Sequence, residues 1–209
     1  MILHGYFRSS AAWRVRIVLN LKGLTADPRF VHLRRGEQRG ADYLSINPQG
    51  LLPALVLDDG RVLTQSLAIC EYLDETCPDP ALLPFDPVTR AQVRAFAQVI
   101  ACDIHPVQNL KIFKALEALG HAPEVTQAWA RDVIAHGFDA LEALVADQPG
   151  PFAFGDTPSL ADVCLVPQMG NARRFGVEIR WPRLMAIDAA CAALPAFAQA
   201  RPDTQPDAE

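Results

Sequence analysis

Features that the sequence lacks exclude several classes of protein. No apolar run approaches the roughly 18 residues that a membrane-spanning helix needs, and the first residues lack the charged region, apolar region and cleavage site of a signal peptide. Positive charge is not in excess, because 19 Lys and Arg stand against 24 Asp and Glu and the net charge is -5. This balance argues against non-specific binding to nucleic acids. We therefore expect a cytoplasmic protein that acts on neither a membrane nor a nucleic acid.

Cysteine is scarce, and the cysteines do not pair along the chain. None of the five forms a CxxC motif, and the five histidines are scattered, so the spacing of a zinc site is absent and no metal is predicted. An odd number of cysteines without an export signal is typical of free thiols in a reducing compartment. Most have apolar neighbours and are predicted to pack as small core side chains. They are Cys70, Cys77, Cys102, Cys164 and Cys191.

The composition that is present belongs to a globular protein. Half of the 209 residues are apolar and 21% are charged, which is enough for one large domain or two small ones with a hydrophobic core. Residues 1–80 predict the order β-α-β, a turn or short helix, then β-β-α, which is typical of a thioredoxin-like domain. The strands are predicted at residues 1–7, 29–33, 51–57 and 61–63, and the last helix opens at Gln65 and Ser66.

The chain changes character after this α/β part. Residues 78–87 contain four prolines, which indicate a linker between domains. Residues 86–209 then predict an all-helical domain, whose last nine residues, 201–209, are polar and are expected to form a loose tail. Two long helices are predicted from apolar residues at helical spacing. The first stripe is Val93, Phe96, Ala97, Ile100, Ala101 and Ile104; the second is Trp129, Val133, Gly137, Ala140, Leu141 and Leu144.

A third helix is predicted by its start signal. Ser159 and Asp162 have the spacing of a capping box with Asp in place of Glu, and Pro167 is expected to end or kink the helix.

The segment 7–16 is where the first strand meets the first helix. Ser9 or Ser10 can cap that helix, because a hydroxyl satisfies a free backbone N–H group. A helix N-terminus with free N–H groups also favours an anion. Two interpretations follow from these residues alone: the serines only cap the helix, or the segment binds an anion. Arg14 and Arg16 are predicted to be surface charges of the helix.

Several motifs together resemble one family. A thioredoxin-like domain, a proline-rich linker and an all-helical domain are the organisation of the soluble glutathione transferases, and the motifs are similar to those of their zeta class. The resemblance covers nearly the whole chain. The motifs are Phe7-Arg8-Ser9-Ser10-x-x-Trp13-Arg14-Val15-Arg16, Gln65-Ser66-Leu67-Ala68-Ile69, Asp103-Ile104-His105-Pro106-x-Gln108-Asn109-Leu110, Gly155-Asp156-x-x-x-Leu160-Ala161-Asp162-x-Cys164-Leu165-Val166-Pro167-Gln168 and Asn171-Ala172-Arg173-Arg174-Phe175.

The resemblance implies an activity and a cofactor. The zeta class includes maleylacetoacetate isomerases and, in bacteria, maleylpyruvate isomerases. It implies glutathione as a cofactor that is not consumed, a small dicarboxylate substrate with a maleyl double bond, a homodimer, and a place in tyrosine degradation. Two alternatives stay open within the family: maleylpyruvate as the substrate, and glutathione transfer to small α-halo acids. A non-enzymatic interaction module on the same fold is a further alternative, which the retained serines and the Gln65-Ser66 pair disfavour.

The resemblance also implies roles for particular residues. Ser9, with Ser10 beside it, would stabilise the glutathione thiolate, while Arg8 and Arg174 would face a common cleft and orient the dicarboxylate. The remaining residues are implied to hold glutathione: Gln38 at the glycyl carboxylate, Leu52 and Pro53 at the cysteinyl unit through a cis peptide bond, Gln65 and Ser66 at the glutamyl carboxylate, and His105 and Asn109 on one helix face beside the cleft.

The sequence departs from the family signature at two positions. The paired serines of the signature are followed by cysteine and serine, whereas this chain has Ala11 and Ala12. The implied isomerase chemistry does not require that cysteine, because the thiol comes from glutathione.

Overall fold

The computed structural model describes residues 1–209, which form two compact units. The first contains Met1–Leu82 together with Ala192–Glu209, and the second is Leu83–Cys191. The predicted division at residues 78–87 assigned the whole C-terminal part to the helical domain, whereas the structure groups the last residues with the first unit.

The first unit is built on a four-stranded mixed sheet. Its strands are β1 (Ile2–Gly5), β2 (Asp27–Phe30), β3 (Ala54–Val56) and β4 (Val62–Thr64), in the spatial order β2-β1-β3-β4. β1 and β2 are parallel, and β3 runs antiparallel to both β1 and β4. Parallel strands need a crossover connection, which is helix α1 (Ser10–Leu21).

Two more helices of this unit lie between α1 and the linker in the sequence. They are α2 (Ala41–Ile46) and α3 (Ser66–Thr76). The predicted order β-α-β, short helix, β-β-α is confirmed, and with it the α/β thioredoxin-like domain. The predicted strand at 29–33 lies slightly earlier, because pairing with β1 begins at Asp27.

Helix α1 buries the predicted apolar face and, in addition, an arginine side chain. Val15, Val18 and Leu19 are buried as expected. Arg14 is also buried, and Arg16 is half-buried, so the prediction that both are surface charges is wrong. The reason is geometric, since Arg14 lies one turn before Val18 and therefore on the same face.

The second unit is helical. Its helices are α4 (Pro87–Gln98), α5 (Leu110–Ala118), α6 (Pro123–Val145), α7 (Leu160–Arg174) and most of α8 (Pro182–Ala192), and a π-helical turn, Val99–Ile104, extends α4. The first predicted stripe is confirmed at five of its positions, which are buried: Val93, Phe96, Ala97, Ile100 and Ile104. None of the helices has the length and apolar composition required to span a bilayer.

Helix α6 buries a face that shares only Leu141 with the predicted stripe. Trp129 and Leu144, both in the predicted stripe, are 42% and 48% exposed. Apolar residues form two neighbouring stripes along the helix, and the other stripe is the one that packs into the core. That stripe is Thr126, Ala130, Ile134, Phe138, Leu141 and Val145.

Helix α7 begins as predicted and continues further. The capping box of Ser159 and Asp162 is present, and the helix passes through Pro167 and ends at Arg174. Pro167 therefore does not end it. The continuation keeps Gln168, Asn171 and Arg174 on one helix.

The C-terminal residues lie in the first unit. A short helix, α9 (Pro195–Ala198), is followed by a 3-10 turn at Pro202–Thr204. The Asn20 side chain on α1 donates to the carbonyl of Ala196 at 2.9 Å. Within residues 201–209, predicted as a loose tail, Oδ2 of Asp207 accepts from the N–H of Phe7 at 2.9 Å, so this segment is hydrogen-bonded to the rest of the first unit.

Candidate active site

Ser9 is the residue that caps helix α1. Its backbone is extended, and its Oγ accepts a hydrogen bond from the N–H of Ala12 at 3.2 Å. Ser10 is instead the first helical residue and is only 4% exposed, whereas Ser9 is half-buried. Because Oγ of Ser9 accepts this bond, its own O–H remains available as a donor.

The loop before Ser9 is held by three hydrogen bonds. The N–H of Ser9 donates to the carbonyl of Tyr6 at 2.9 Å. The N–H of Phe7 donates to Oδ2 of Asp207 at 2.9 Å, and the carbonyl of Phe7 accepts from Nη2 of Arg16 at 3.1 Å. Burial lowers the pKa of Arg16 to about 10. The loop that leads to the N-terminus of α1 is therefore fixed both to the C-terminal segment, at Asp207, and to α1 itself, at Arg16.

The two arginines expected to contact substrate are exposed. The guanidinium of Arg8 lies 5.0 Å from the ring centroid of Phe7. In the second unit, Arg174 ends α7 and its guanidinium lies 4.9 Å from the ring centroid of Phe175. Stacking on a neighbouring ring orients each cation.

The segment before β3 adopts the predicted backbone conformation. The peptide bond between Leu52 and Pro53 is cis. The preceding carbonyl, that of Leu51, accepts two hydrogen bonds, from Oη of Tyr43 at 2.6 Å and from Nδ2 of Asn47 at 2.7 Å. Burial raises the pKa of Tyr43 to about 12, so this phenol remains a donor at neutral pH. These bonds hold the segment that the resemblance assigns to the cysteinyl unit.

Gln65 and Ser66 form the start of helix α3. Gln65 has φ 67° and ψ 117° and is the one non-glycine residue with a positive φ. Its Nε2 donates to Oε1 of Gln49 at 2.9 Å. Ser66 is the first residue of the helix and is 6% exposed. The free N–H groups of the first helical turn point away from the helix here and favour an anion.

Arg14, which was predicted to lie at the surface, is buried beside the candidate residue Ser66. Its side chain is 1% exposed, and Nη1 donates to Oγ of Ser66 at 3.2 Å. Nε and Nη2 have no hydrogen-bond partner. The signal was available in the sequence, because Arg14 belongs to the same helical stripe as Ala11, Val15 and Val18.

Gln38 lies in a 3-10 turn, Glu37–Arg39. The residue is half-buried, and its Oε1 is buried without a hydrogen-bond partner. A buried amide oxygen without a donor costs free energy, so a ligand N–H group would be accommodated here.

The prediction that His105 and Asn109 share one helix face is wrong. The π-helical turn ends at Ile104 with His105 as its C-cap, a turn follows, and Asn109 caps the next helix by accepting from the N–H of Lys111 at 3.2 Å. The physical reason is Pro106, which has no N–H group and does not continue the helix. Both residues remain in one short segment of the second unit.

A buried amide cluster holds this segment to α7. Nε2 of Gln108 donates to Oε1 of Gln168 at 3.3 Å, and Nδ2 of Asn171 donates to the same oxygen at 3.3 Å. All three residues are at most 4% exposed. The turn with His105 and Asn109 is thereby positioned against the helix that ends at Arg174.

These residues define what the first unit can bind. Two helix N-termini, those of α1 and α3, each present a serine and free N–H groups, and the segment at Pro53 lies in the same unit. Such donors suit a ligand with a thiolate and a carboxylate. No group of three or more His, Cys, Asp or Glu side chains in the structure could hold a metal ion.

Comparisons with known proteins show which family the chain is similar to. The sequence model described as "Glutathione S-transferase, N-terminal domain" matches residues 8–76, and that described as "Glutathione S-transferase, C-terminal domain" matches residues 61–199. A probable maleylacetoacetate isomerase from Vibrio cholerae is 51% identical over 213 residues, covering 100% of this chain and 98% of the relative.

Solved structures are similar over the full length. The holo structure of a maleyl pyruvate isomerase, a bacterial glutathione S-transferase of the zeta class, has a TM-score of 0.97 and 45% sequence identity and covers 100% of both chains. A maleylacetoacetate isomerase from Anaeromyxobacter dehalogenans, with glutathione bound in its active site, has a TM-score of 0.90 and 47% identity and covers 99% of this chain and 97% of that one.

Proposed function

The chain belongs to the glutathione S-transferase family, and from that premise we propose that it is a glutathione-dependent cis–trans isomerase of the zeta class. Its substrate is maleylacetoacetate and its product fumarylacetoacetate, a step in tyrosine degradation. Within the chain, the observation that carries the proposal is the half-buried Ser9 hydroxyl at the N-terminus of α1, whose O–H is available as a donor.

The chemistry requires a thiolate that the chain itself does not supply. Bound glutathione supplies a thiolate that adds reversibly to the maleyl double bond, so that the bond can rotate before the thiolate leaves. An ordinary thiol has a pKa of about 8.5, so the thiolate needs stabilisation near neutral pH. Ser9 donates its O–H to the sulfur, and the N-terminus of α1 adds a favourable dipole. Ser10, which is buried beside it, is the neighbouring candidate for the same role.

Arg8 and Arg174 act on the substrate. Both are exposed cations held over a neighbouring aromatic ring, and a guanidinium binds a carboxylate through two parallel hydrogen bonds. Each can therefore orient a carboxylate of the substrate and offset the negative charge that develops on its ketone oxygen.

The other candidate residues hold glutathione. Gln65 and Ser66 bind the glutamyl carboxylate at the start of α3, and the backbone of Leu52 before Pro53 binds the cysteinyl unit. Gln38 is proposed to bind the glycyl end: its Nε2 would donate to the glycyl carboxylate, and its unpartnered Oε1 would accept from an N–H group of the ligand. His105 and Asn109 in the second unit are proposed to line the same ligand.

Maleylpyruvate is the second candidate substrate. A maleyl pyruvate isomerase structure has the TM-score of 0.97 with this chain, and the reaction differs only in the tail attached to the ketone. Rates with maleylacetoacetate and maleylpyruvate, measured with and without glutathione, distinguish the two. Isomerisation that proceeds equally well without glutathione would contradict the mechanism.

Ser9→Ala tests the central role. Removing one hydrogen bond to an ionised sulfur is expected to lower kcat/KM for isomerisation by about 10- to 100-fold, since such bonds contribute about 1.5–3 kcal/mol. The same change raises the pKa of bound glutathione, which is measured from the pH dependence of thiolate absorbance. Ser10→Ala is the matched variant, and full activity in both variants contradicts the assignment to this serine pair.

We also propose that the protein is a cytoplasmic homodimer. None of its five cysteines forms a disulfide, which suits a reducing compartment. Large apolar side chains are exposed on α6, among them Val125, Trp129 and Leu144, and such a surface is suited to association. Light scattering coupled to size exclusion should give twice the mass of the chain, and the mass of a single chain would contradict this proposal.

A further inference from the structure

Arg14 is a buried cation with an unusual hydrogen-bonding pattern. The side chain is 1% exposed and is the largest fully buried one in the protein. It lies on α1, which packs against α3, and Nη1 donates to Oγ of Ser66 at 3.2 Å. Nε and Nη2, which form one edge of the guanidinium, have no hydrogen-bond partner. A charge removed from water in this way is costly unless it is compensated.

The hydrogen bond from Arg14 decides what Ser66 can do. A serine hydroxyl has one proton to donate and two lone pairs that accept. One lone pair of Ser66 accepts from the guanidinium, so the proton is left to donate elsewhere. A hydroxyl that accepts from a cation is also polarised into a stronger donor. Ser66 is therefore prepared to donate to an anion at the N-terminus of α3.

The positive charge of Arg14 adds to the field at the same point. The N-terminus of α3 already carries a partial positive charge from the helix dipole. Arg14 lies directly behind its first residue, in a region where the effective dielectric constant is low and screening by salt is weak. An anion at this helix end would supply the negative charge that compensates the buried guanidinium.

We propose that Arg14 is the positioning residue for the glutamyl carboxylate of glutathione. It acts through Ser66, orienting the hydroxyl proton of that residue toward the carboxylate and stabilising its negative charge from within the fold. This inference rests on the proposed function only in taking glutathione as the ligand, and it concerns the first unit alone. A purely structural arginine that links α1 to α3 would make no distinction between ligands with and without the carboxylate.

The test pairs one substitution with one change in the ligand. Arg14→Met keeps much of the apolar volume and removes the charge. Calorimetry compares glutathione with γ-aminobutyryl-cysteinyl-glycine, which lacks only the carboxylate of the glutamyl unit. Arg14→Met is expected to raise the Kd for glutathione by about 10- to 100-fold and that for the analogue by less than about threefold, since only the former offers a charged acceptor. Equal losses for both ligands would overturn the proposal.

Two further variants separate positioning from packing. Arg14→Lys retains the charge without the planar fork, so it should recover part of the affinity for glutathione that Arg14→Met loses. Arg16→Met is the control two residues along the same helix, because Arg16 bonds to the carbonyls of Phe7 and Ala200 and not to Ser66. Its effect on Kd should be the same for both ligands.

A measurement on the unaltered protein covers the case in which Arg14→Met does not fold. The Nε–H resonance of Arg14 in a nitrogen-15 spectrum should shift when glutathione is added and shift less with the analogue. Identical shifts with both ligands would overturn the proposal. If glutathione binds as described but no isomerisation occurs, the proposed function fails while this inference stands, so the two outcomes are distinguishable.

Discussion

Gln65 combines backbone strain with a proposed binding role. Its φ of 67° with ψ of 117° lies in a region that L side chains rarely adopt, and such a residue stores about 1–3 kcal/mol of strain. The surroundings hold it there, because β4 ends directly before it and α3 begins directly after it. This backbone conformation places Gln65 at the N-terminus of α3, where an anion is expected to bind.

Glycine and alanine at position 65 separate the strain from the binding. Both Gln65→Gly and Gln65→Ala remove the amide, but only glycine adopts this backbone conformation without a penalty. Gln65→Gly is therefore expected to be about 1 kcal/mol more stable than Gln65→Ala in urea unfolding. Both variants should raise KM for glutathione. An alanine variant as stable as the glycine variant would show that the backbone is not strained.

Individual residues were the least predictable part of the site from sequence. The cap at Ser9 or Ser10 could be predicted from local chemistry, whereas the cis bond before Pro53 was implied by the resemblance to the family. For Arg14 two signals conflicted: its helical spacing from Ala11 and Val18 indicated the buried face, whereas its charge indicated the surface, because arginine is almost always exposed. Its burial depends on the packing of α1 against α3 and on a hydroxyl that lies 52 residues away along the chain.

The start of α7 shows how one side chain can fix a whole element. Oδ1 of Asp162 accepts from the N–H of Ala153 at 2.8 Å, and Oδ2 accepts from both the N–H and the hydroxyl of Ser159 at 2.8 Å. The carboxyl is fully buried, and that burial raises its pKa. Its hydrogen bonds offset the cost of burial and tie the preceding loop to the helix.

Asp162→Ala should therefore destabilise the protein strongly. The change leaves three buried donors without an acceptor, and the expected loss is about 3–5 kcal/mol in the free energy of unfolding. Urea unfolding monitored by circular dichroism measures it. Ser159→Ala is the matched variant, because it removes only one of the three bonds and should lose about 1 kcal/mol. Equal losses in the two variants would contradict the central role of the carboxylate.

Elements were predictable where one signal dominated. The order of strands and helices in the first unit, and the buried stripe of α4, followed from periodicity. Helix α6 has two apolar stripes, and periodicity alone could not rank them. The turn after His105 was signalled by Pro106, so the error there came from extending the helical pattern past a residue that lacks an N–H group.

At the scale of the whole molecule, the two ends of the chain meet in the first unit. The bond between Phe7 and Asp207 joins residues 200 positions apart. His32 and Glu209 are also 2.7 Å apart, and this contact lowers the pKa of the Glu209 carboxyl. No local pattern in the polar, proline-bearing end of the sequence predicts such contacts, because they join residues that are far apart in the sequence.

Substitutions in the C-terminal segment should therefore affect catalysis, although this segment contains none of the proposed catalytic residues. Asp207→Ala removes the acceptor of the Phe7 N–H and frees the loop that carries Arg8 and Ser9. The expected result is a loss of about 1–2 kcal/mol in the free energy of unfolding and a lower kcat/KM for isomerisation. Asp203→Ala is the control from the same segment, since its carboxylate bonds to Arg201 and not to the loop. If both variants keep full activity and stability, the tail does not support the site, and its contacts there contribute nothing measurable.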